Sequence, residues 1–207
     1  EQEEVLLMFN ILGTPQNSAV HRYLNEKKVP QLFAASAANK FGDPKNYPWT
    51  MGWGLSYQAE ARIYARHLLE TKPNGKVAIL YQNDDFGKDY LKGIEDGLGD
   101  KAKSMIVARA TYEATDPTVD SQLVTLKASG ADVFFNIASP KFAAQSIRKV
   151  AEIGWKPQHY LSIVSVSVGS VMTPAGPDNG VGIISSMFYK DPSDPQVQSG
   201  KEWDDYR

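Results

Sequence analysis

The apolar residues of this chain gather in short, nearly uncharged runs, and the segments between those runs carry apolar residues at helical spacing. A continuous apolar run is typical of a strand that is buried on both faces of a parallel sheet. Apolar residues three and four positions apart, with capping residues at the ends, indicate a helix. Strands and helices are therefore expected to alternate along the whole chain.

The positions of these elements can be assigned from the pattern. The predicted strands are Val5–Phe9, Pro30–Ala34, Val77–Tyr81, Met105–Tyr112, Asp132–Ile137, His159–Ile163 and Gly182–Ser186. The predicted helices are Pro15–Lys27, Tyr57–Thr71, one that follows Gly87 and ends near Leu98, Val119–Ser129, Lys141–Ile153, and a last one from Val197 to Arg207. The Pro- and aromatic-rich segment between them, Lys40 to Trp53, is predicted to be a loop. This order predicts an α/β fold with doubly wound parallel sheets.

The carboxyl ends of the predicted strands are the expected place for a ligand, because doubly wound sheets bind ligands there. Small and polar residues follow these strands, at Gly13-Thr14, Ala35–Asn39, Asn83–Phe86, Ala138-Ser139 and Val164–Ser167. The chain opens on a strand of the buried type, and its last predicted helix has no closing strand after it. We therefore expect the sequence to be a piece of a longer polypeptide.

Composition narrows the possible functions. The chain has 207 residues, 42% hydrophobic and 22% charged, with a net charge of −2. The sequence has no cluster of Lys and Arg of the kind that would indicate binding to nucleic acid or to anionic lipid. The apolar runs are too short to insert into a bilayer. The sequence contains no cysteine, which excludes disulfides, thiolate metal sites and cysteine nucleophiles.

Few residues suggest catalysis. His21, His67 and His159 lie in different units without other ligands at metal-binding spacing, so no metal or cofactor is expected. Asp84 and Asp85 follow a strand, where paired carboxylates can hold Mg²⁺ or accept a phosphoryl group. The alternative is that Asp84 is a helix N-cap, which we favour because no supporting Lys, Ser or Thr accompanies the pair. We expect a protein that is not an enzyme.

Two tryptophans stand at a possible crossing between domains. Trp49 and Trp53 could form the wall of a pocket for an apolar or aromatic ligand. Packing of the loop against a helix explains them equally well. Of the two, Trp53 is retained as a candidate ligand-binding residue.

Four motifs, in this order and spacing, extend over nearly the whole chain. They are Gly13-Thr14-Pro15-Gln16-Asn17-Ser18-Ala19 before a helix, Val29–Asn39, Lys76–Lys88 with its Phe86-Gly87 pair, and Gly130–Phe135 followed by a helix that ends in Ile153-Gly154-Trp155 and Pro157. In these motifs the chain resembles the type I periplasmic solute-binding proteins of ABC transporters, in the leucine/branched-chain amino-acid-binding family.

The resemblance implies two α/β lobes joined by a hinge, with a ligand trapped between them. Residues 1–53 would be part of the N-terminal lobe, and residues 54–207 would be most or all of the C-terminal lobe. It also implies an exported, periplasmic protein that delivers its solute to a membrane permease. A ligand-sensing domain of a regulator or receptor with the same fold is the alternative role.

The resemblance also assigns site residues. Gly13, Thr14, Ser36, Ala37 and Ala38 match the first-lobe positions that bind a ligand carboxylate through backbone N–H and hydroxyl groups. In amino-acid binders the position of Ala38 commonly offers a Thr hydroxyl.

Three further positions match the second-lobe face that closes over the ligand. Phe86 is at the family's aromatic position, and Ala138 and Ser139 match another closing position that is often aromatic.

The most informative departure from the family is at Val164 and Ser165. Amino-acid binders commonly place an acidic residue after this strand, where it pairs with the ligand ammonium. The sequence here has no carboxylate between Ile163 and Gly169, and a buried ammonium without a partner is costly. We therefore expect the ligand to be an aromatic or other organic acid rather than an amino acid.

Overall fold

A computed structural model describes residues 4–188 and 195–199 of the chain. Their strands form two separate parallel sheets, one of three strands and one of four. The first sheet has the order β1 (Met8–Phe9), β2 (Gln31–Ala34), β3 (Thr50–Gly52). The second has the order β5 (Ile106–Tyr112), β4 (Val77–Gln82), β6 (Val133–Ile137), β7 (Gln158–Leu161).

Helices separate these strands along the chain. They are α1 (Thr14–Glu26), α2 (Tyr57–Thr71), α3 (Asp85–Leu98), α4 (Ala102–Met105), α5 (Asp120–Ala128), α6 (Pro140–Glu152), α7 (Thr173–Ala175) and α8 (Pro195–Gln198). Short 3₁₀ turns lie at Asn39–Gly42, Gly99–Lys101, Ile163–Ser165 and Pro177–Gly180, and a π-helical turn lies at Val168–Met172. The predicted alternation of strands and helices is confirmed, and α2 has the predicted bounds.

The four-stranded sheet is covered on both faces. On one face Ile79 and Phe135 pack with residues of α2 and α3. On the other face Leu80 and Phe134 pack with residues of α5 and α6. All four side chains are fully buried, which explains why β4 and β6 are continuously apolar in sequence. The predicted doubly wound parallel fold is therefore confirmed.

Helices α2 and α3 approach each other closely through glycine. A Cβ atom on Gly93 would lie 2.5 Å from the carbonyl oxygen of Gln58, and one on Gly97 would lie 2.6 Å from the Cβ of Ala65. Such distances are shorter than van der Waals contact, so these positions require glycine. The close approach brings the first turn of α2 against the middle of α3.

The prediction that Val5–Phe9 is a strand buried on both faces is wrong. Only Met8 and Phe9 form a strand, and Leu6 and Phe9 are 86% and 62% exposed. Strand β1 pairs with β2 along one edge. On this sheet the ring of Phe33 meets those of Phe9 and Trp53 edge-on, with centroids 5.5 and 6.3 Å apart.

The predicted strand Gly182–Ser186 is also wrong as an extended element. A single bridge joins Ile184 to Tyr160 of β7. The chain then leaves the sheet, because the backbone N–H of Ser186 donates to the hydroxyl of Tyr64 at 2.8 Å instead of to a strand. Gly182 precedes the bridge with a φ of 86°, which also interrupts extended structure.

The remaining differences concern short elements and chain positions near the end. The predicted loop Lys40–Trp53 contains β3 and a 3₁₀ turn, and the predicted strand His159–Ile163 ends at Leu161. Most of the predicted helix from Val197 to Arg207 lies outside the described residues. Among the helices that are described, none is long and apolar enough to cross a membrane.

Candidate ligand-binding site

Two hydroxyl groups meet where β1 and β2 end. Thr14 is the first residue of α1, and Ser36 follows β2, so both stand at the carboxyl edge of the three-stranded sheet. Their side-chain oxygens are 2.7 Å apart, and the two residues are 4% and 5% exposed. Gly13 caps α1 with a φ of 98°, a conformation that favours glycine. The structure therefore brings together the two predicted hydroxyl donors for a carboxylate.

The backbone amides of the same region have acceptors inside the protein. The N–H of Gly13 donates to the Ala35 carbonyl, and the N–H of Ser36 donates to the Ala34 carbonyl. The N–H of Ala38 donates to the Ser36 hydroxyl oxygen at 3.3 Å. The hydroxyls of Thr14 and Ser36 are thus better placed than these amides to donate to a ligand.

Tyr57 completes this cluster and was missed in the sequence. Its backbone N–H donates to the carbonyl of Ala37 at 3.1 Å, so Tyr57 lies against the loop that carries Ser36. Burial is the main cause that raises the pKa of Tyr57, and interactions with the Ala37 backbone and with the side chains of Ser36 and Thr14 oppose the rise. A signal was present, since Tyr57 is the first helical residue after the N-cap Ser56, directly after the chain passes from one sheet to the other.

Phe86 lies beside Tyr57, as one wall of an aromatic group. Their ring centroids are 5.0 Å apart at 66°, and Tyr90 stacks on Tyr57 at 5.0 Å and 27°. Ala38 belongs to the same core cluster and Ala37 packs against it. Of the predicted residues, Ala37 and Phe86 thus contact Tyr57, and Ala38 lies in the same core cluster.

The other predicted positions form a second group at the ends of β6 and β7. Ser165 is fully buried, and its hydroxyl donates to the carbonyl of Ala138 at 2.6 Å. The N–H of Ser139 donates to the hydroxyl of Tyr112 at 2.9 Å. Val164 is 37% exposed. Ala138 and Ser165 thus hold the two strand ends together, and Val164 and Ser139 are the members of this group that reach solvent.

A buried carboxylate, Glu60, lies behind the second group. Its oxygens accept hydrogen bonds from the hydroxyls of Tyr64 and Tyr90, both at 2.6 Å, and from the backbone N–H of Ile163 at 3.0 Å. Glu60 is 2% exposed. Its sequence signal was an acidic residue on the apolar stripe of α2, three positions after Tyr57 and four before Tyr64.

Trp53 packs beside a residue of the three-stranded sheet. It is 62% exposed and contacts Phe33 edge-on, with ring centroids 6.3 Å apart. Its role in ligand binding stays a prediction. Trp49 is 38% exposed, and its backbone N–H donates to the side-chain oxygen of Asn25 in α1, so it packs as a loop residue.

The two adjacent aspartates have structural partners. Asp84 caps α3 by accepting from the N–H of Gly87 at 3.2 Å, which confirms the N-cap interpretation. Asp85 forms an ion pair with Lys40 at 2.8 Å. Among residues 4–188 and 195–199, no group of His, Asp or Glu side chains could hold a metal ion.

Solved structures share this fold. A substrate-binding periplasmic protein from Ralstonia solanacearum is 25% identical, with a TM-score of 0.77 over 87% of this chain and 50% of its own. A leucine binding protein from Thermotoga maritima is 12% identical, with a TM-score of 0.80 over 100% and 56%. An ABC transporter solute binding protein from R. palustris, in complex with 4-hydroxybenzoate, is 18% identical, with a TM-score of 0.75 over 92% and 52%.

The chain spans about half the length of these structures. No curated protein matches its sequence. A family model described as periplasmic binding protein matches residues 1–204, which is almost the whole chain. The chain therefore belongs to the periplasmic binding protein family.

Proposed function

We propose that this chain is part of the substrate-binding protein of an ABC importer and captures a small carboxylate-bearing solute between two lobes. Residues 1–53 supply part of the first lobe and residues 54–207 supply the second. The single observation that carries the proposal is the pair of buried hydroxyls on Thr14 and Ser36, 2.7 Å apart at a sheet edge. Hydroxyl donors suit a carboxylate without the need for a buried cation.

The aromatic group beside these hydroxyls supports an apolar body for the solute. Phe86 and Tyr57 form its wall, and both are almost fully buried. Pockets of this kind combine an apolar lining with a few polar groups that set orientation. An aromatic or other organic acid satisfies both parts of the site.

The sequence between Ile163 and Gly169 has no carboxylate that could accept from an ammonium, and this separates such an acid from an amino acid. Val164 and Ser165 stand where a carboxylate would be needed, and Glu60, the buried carboxylate among the described residues, already accepts three hydrogen bonds. An ammonium in this site would lose its hydration without gaining an ion pair. The solute class that we propose is therefore a carboxylic acid that lacks an α-ammonium group.

In this proposal the protein works in the periplasm and carries out no chemical reaction. The solute binds one lobe, hinge closure brings the other lobe onto it, and the closed form docks on the membrane permease. The carboxylates that an enzyme of this fold would use are otherwise engaged, because Asp84 caps a helix and Asp85 pairs with Lys40.

A thermal-shift screen of organic acids and amino acids tests the proposal. A ligand that binds only the folded protein stabilises it by about 2.7 kcal/mol at 100 times its Kd. We expect acids to raise the unfolding midpoint of the wild type and to leave Thr14→Val unaffected. Thr125→Val is the matched control, because Thr125 is exposed on α5, a helix that carries no residue of the proposed site. If no carboxylic acid shifts the wild type, or if Thr14→Val responds as the control does, the proposal is wrong.

A further inference from the structure

We propose that the hydroxyl of Tyr57 is a third donor to the ligand carboxylate, alongside Thr14 and Ser36, and that it sets the preference of the site for an anion. This inference rests on the proposed function, because it assigns a role beside the same two hydroxyls. Thr14 and Ser36 are called the cradle from here on. The observation behind it is that Tyr57 begins α2, in the proposed second lobe, and yet lies against the first-lobe loop, where its backbone N–H bonds to Ala37 next to Ser36.

The ring of Tyr57 is held in place from several sides. Its backbone N–H donates to the Ala37 carbonyl at 3.1 Å, so the first turn of α2 is tied to the loop after β2. Tyr90 stacks on one face of the ring, and Phe86 meets it edge-on, each with centroids 5.0 Å apart. Tyr57 itself is 6% exposed. A donor fixed in this way loses little conformational entropy when a ligand binds.

The protons of the neighbouring tyrosines are used differently. The hydroxyls of Tyr64 and Tyr90 both donate to the carboxylate of Glu60 at 2.6 Å. The Tyr57 hydroxyl instead has the neutral side chains of Ser36 and Thr14 as neighbours, and both lower its pKa. A neutral hydroxyl is a weaker acceptor than a carboxylate. The Tyr57 hydroxyl can therefore donate a hydrogen bond to a ligand anion at little cost, whereas the hydroxyls of Tyr64 and Tyr90 would have to leave Glu60.

Three hydroxyls together match a carboxylate and mismatch its neutral analogues. Each hydroxyl supplies one proton, and a carboxylate has about four lone-pair sites that can accept them. The primary amide of the same acid has a single acceptor oxygen and brings two N–H donors of its own. An amide in the cradle would leave donors without acceptors, and buried unsatisfied groups are costly.

Substitution of Tyr57 by Phe separates this role from packing, because the ring and its contacts with Phe86 and Tyr90 remain. The control is Tyr160→Phe, which removes a buried hydroxyl that bonds to His67 and Gln158, away from the cradle. Binding of 4-hydroxybenzoate, 3-phenylpropanoate and 4-methylpentanoate, and of their primary amides, would be measured by calorimetry on all three proteins. Unfolding midpoints confirm that each variant is folded.

We expect Tyr57→Phe to weaken binding of the acids about 10-fold to 100-fold, the range of one hydrogen bond to a charged group. Amide binding should be unchanged, and Tyr160→Phe should match the wild type. Acid affinities of Tyr57→Phe within twofold of the wild type would overturn this inference and leave the proposed function standing. A wild type that binds amides as tightly as acids would overturn it without any variant. A wild type that binds none of the acids would overturn the proposed function as well.

Discussion

His159 is a histidine held without its charge inside the second sheet. It lies on β7 with its ring 4.8 Å from that of Phe134, and it is 7% exposed. Among the described residues, its Nε2 atom has no hydrogen-bond partner. Burial lowers the pKa of His159 from 6.5 to about 3. The folded chain therefore keeps this imidazole neutral at pH values where an unfolded chain would protonate it.

This depressed pKa predicts a loss of stability on mild acidification. Below about pH 6.5 the unfolded state binds a proton that the folded state refuses, so the free energy of unfolding falls by up to about 1.4 kcal/mol per pH unit. The loss continues until the pH reaches the folded pKa. Denaturant titrations give the free energy of unfolding at each pH between 6.5 and 5. The slope of this free energy against pH should be smaller for His159→Phe than for the wild type. Equal slopes in the two proteins would show that His159 does not cause the loss.

Single residues also show how far the sequence could define the site. Thr14, Ser36 and Phe86 were identified from the resemblance, and the structure places them around one cluster. Tyr57 was missed because its role depends on a contact between the start of α2 and the loop after β2, which no local pattern encodes. Trp53 was proposed from its residue type and its place near a crossing. In the structure Trp53 is 62% exposed and its ring meets that of Phe33, and its role in ligand binding stays a prediction.

Glu60 acts at the scale of elements, because its carboxylate joins three of them. It belongs to α2, accepts from Tyr90 of α3, and accepts from Ile163 in the turn after β7. Tyr64, its third donor, also hydrogen-bonds to Ser186 where the chain leaves the second sheet. The elements that carry Phe86 and Val164 are thus held relative to each other by one buried acceptor.

Removal of this acceptor should destabilise the protein strongly. Glu60→Ala leaves three buried donors without their partner, which we expect to cost at least about 3 kcal/mol in free energy of unfolding. Glu60→Gln keeps one acceptor and should cost less. Glu70→Ala on the same helix breaks only an exposed pair with Arg66 and should change stability by less than about 1 kcal/mol. Urea titrations measure all three, and equal values for Glu60→Ala and Glu70→Ala would refute the role of Glu60.

Elements were predicted well where their signal is local. The helical spacing predicted α2, and the apolar runs predicted β4 and β6. The failures were Val5–Phe9, β3 and Gly182–Ser186. A strand of two or three residues exists only through its partner, and burial of a run depends on what covers it, so neither follows from local sequence.

At the scale of the whole molecule, a few polar contacts join the part of the chain before α2 to α3 beside Phe86. Lys40 pairs with Asp85 at 2.8 Å, and the N–H of Asn39 donates to Asp89 at 2.8 Å. The side chains of Lys40 and Asp85 are 37% and 48% exposed. An ion pair this exposed stabilises by about 1 kcal/mol or less. In the proposed function, a ligand that binds one arrangement of the two parts more tightly than another can therefore shift the chain toward that arrangement.

In the proposed function, the site binds a carboxylate and has no acidic partner for a ligand ammonium. Calorimetry with matched pairs tests it most directly, because 4-methylpentanoate is leucine without its amino group and 3-phenylpropanoate is phenylalanine without it. The account predicts that at least one of these acids binds the wild-type protein at least tenfold more tightly than its amino acid. If leucine or phenylalanine binds more tightly than the matched acid, the account is contradicted.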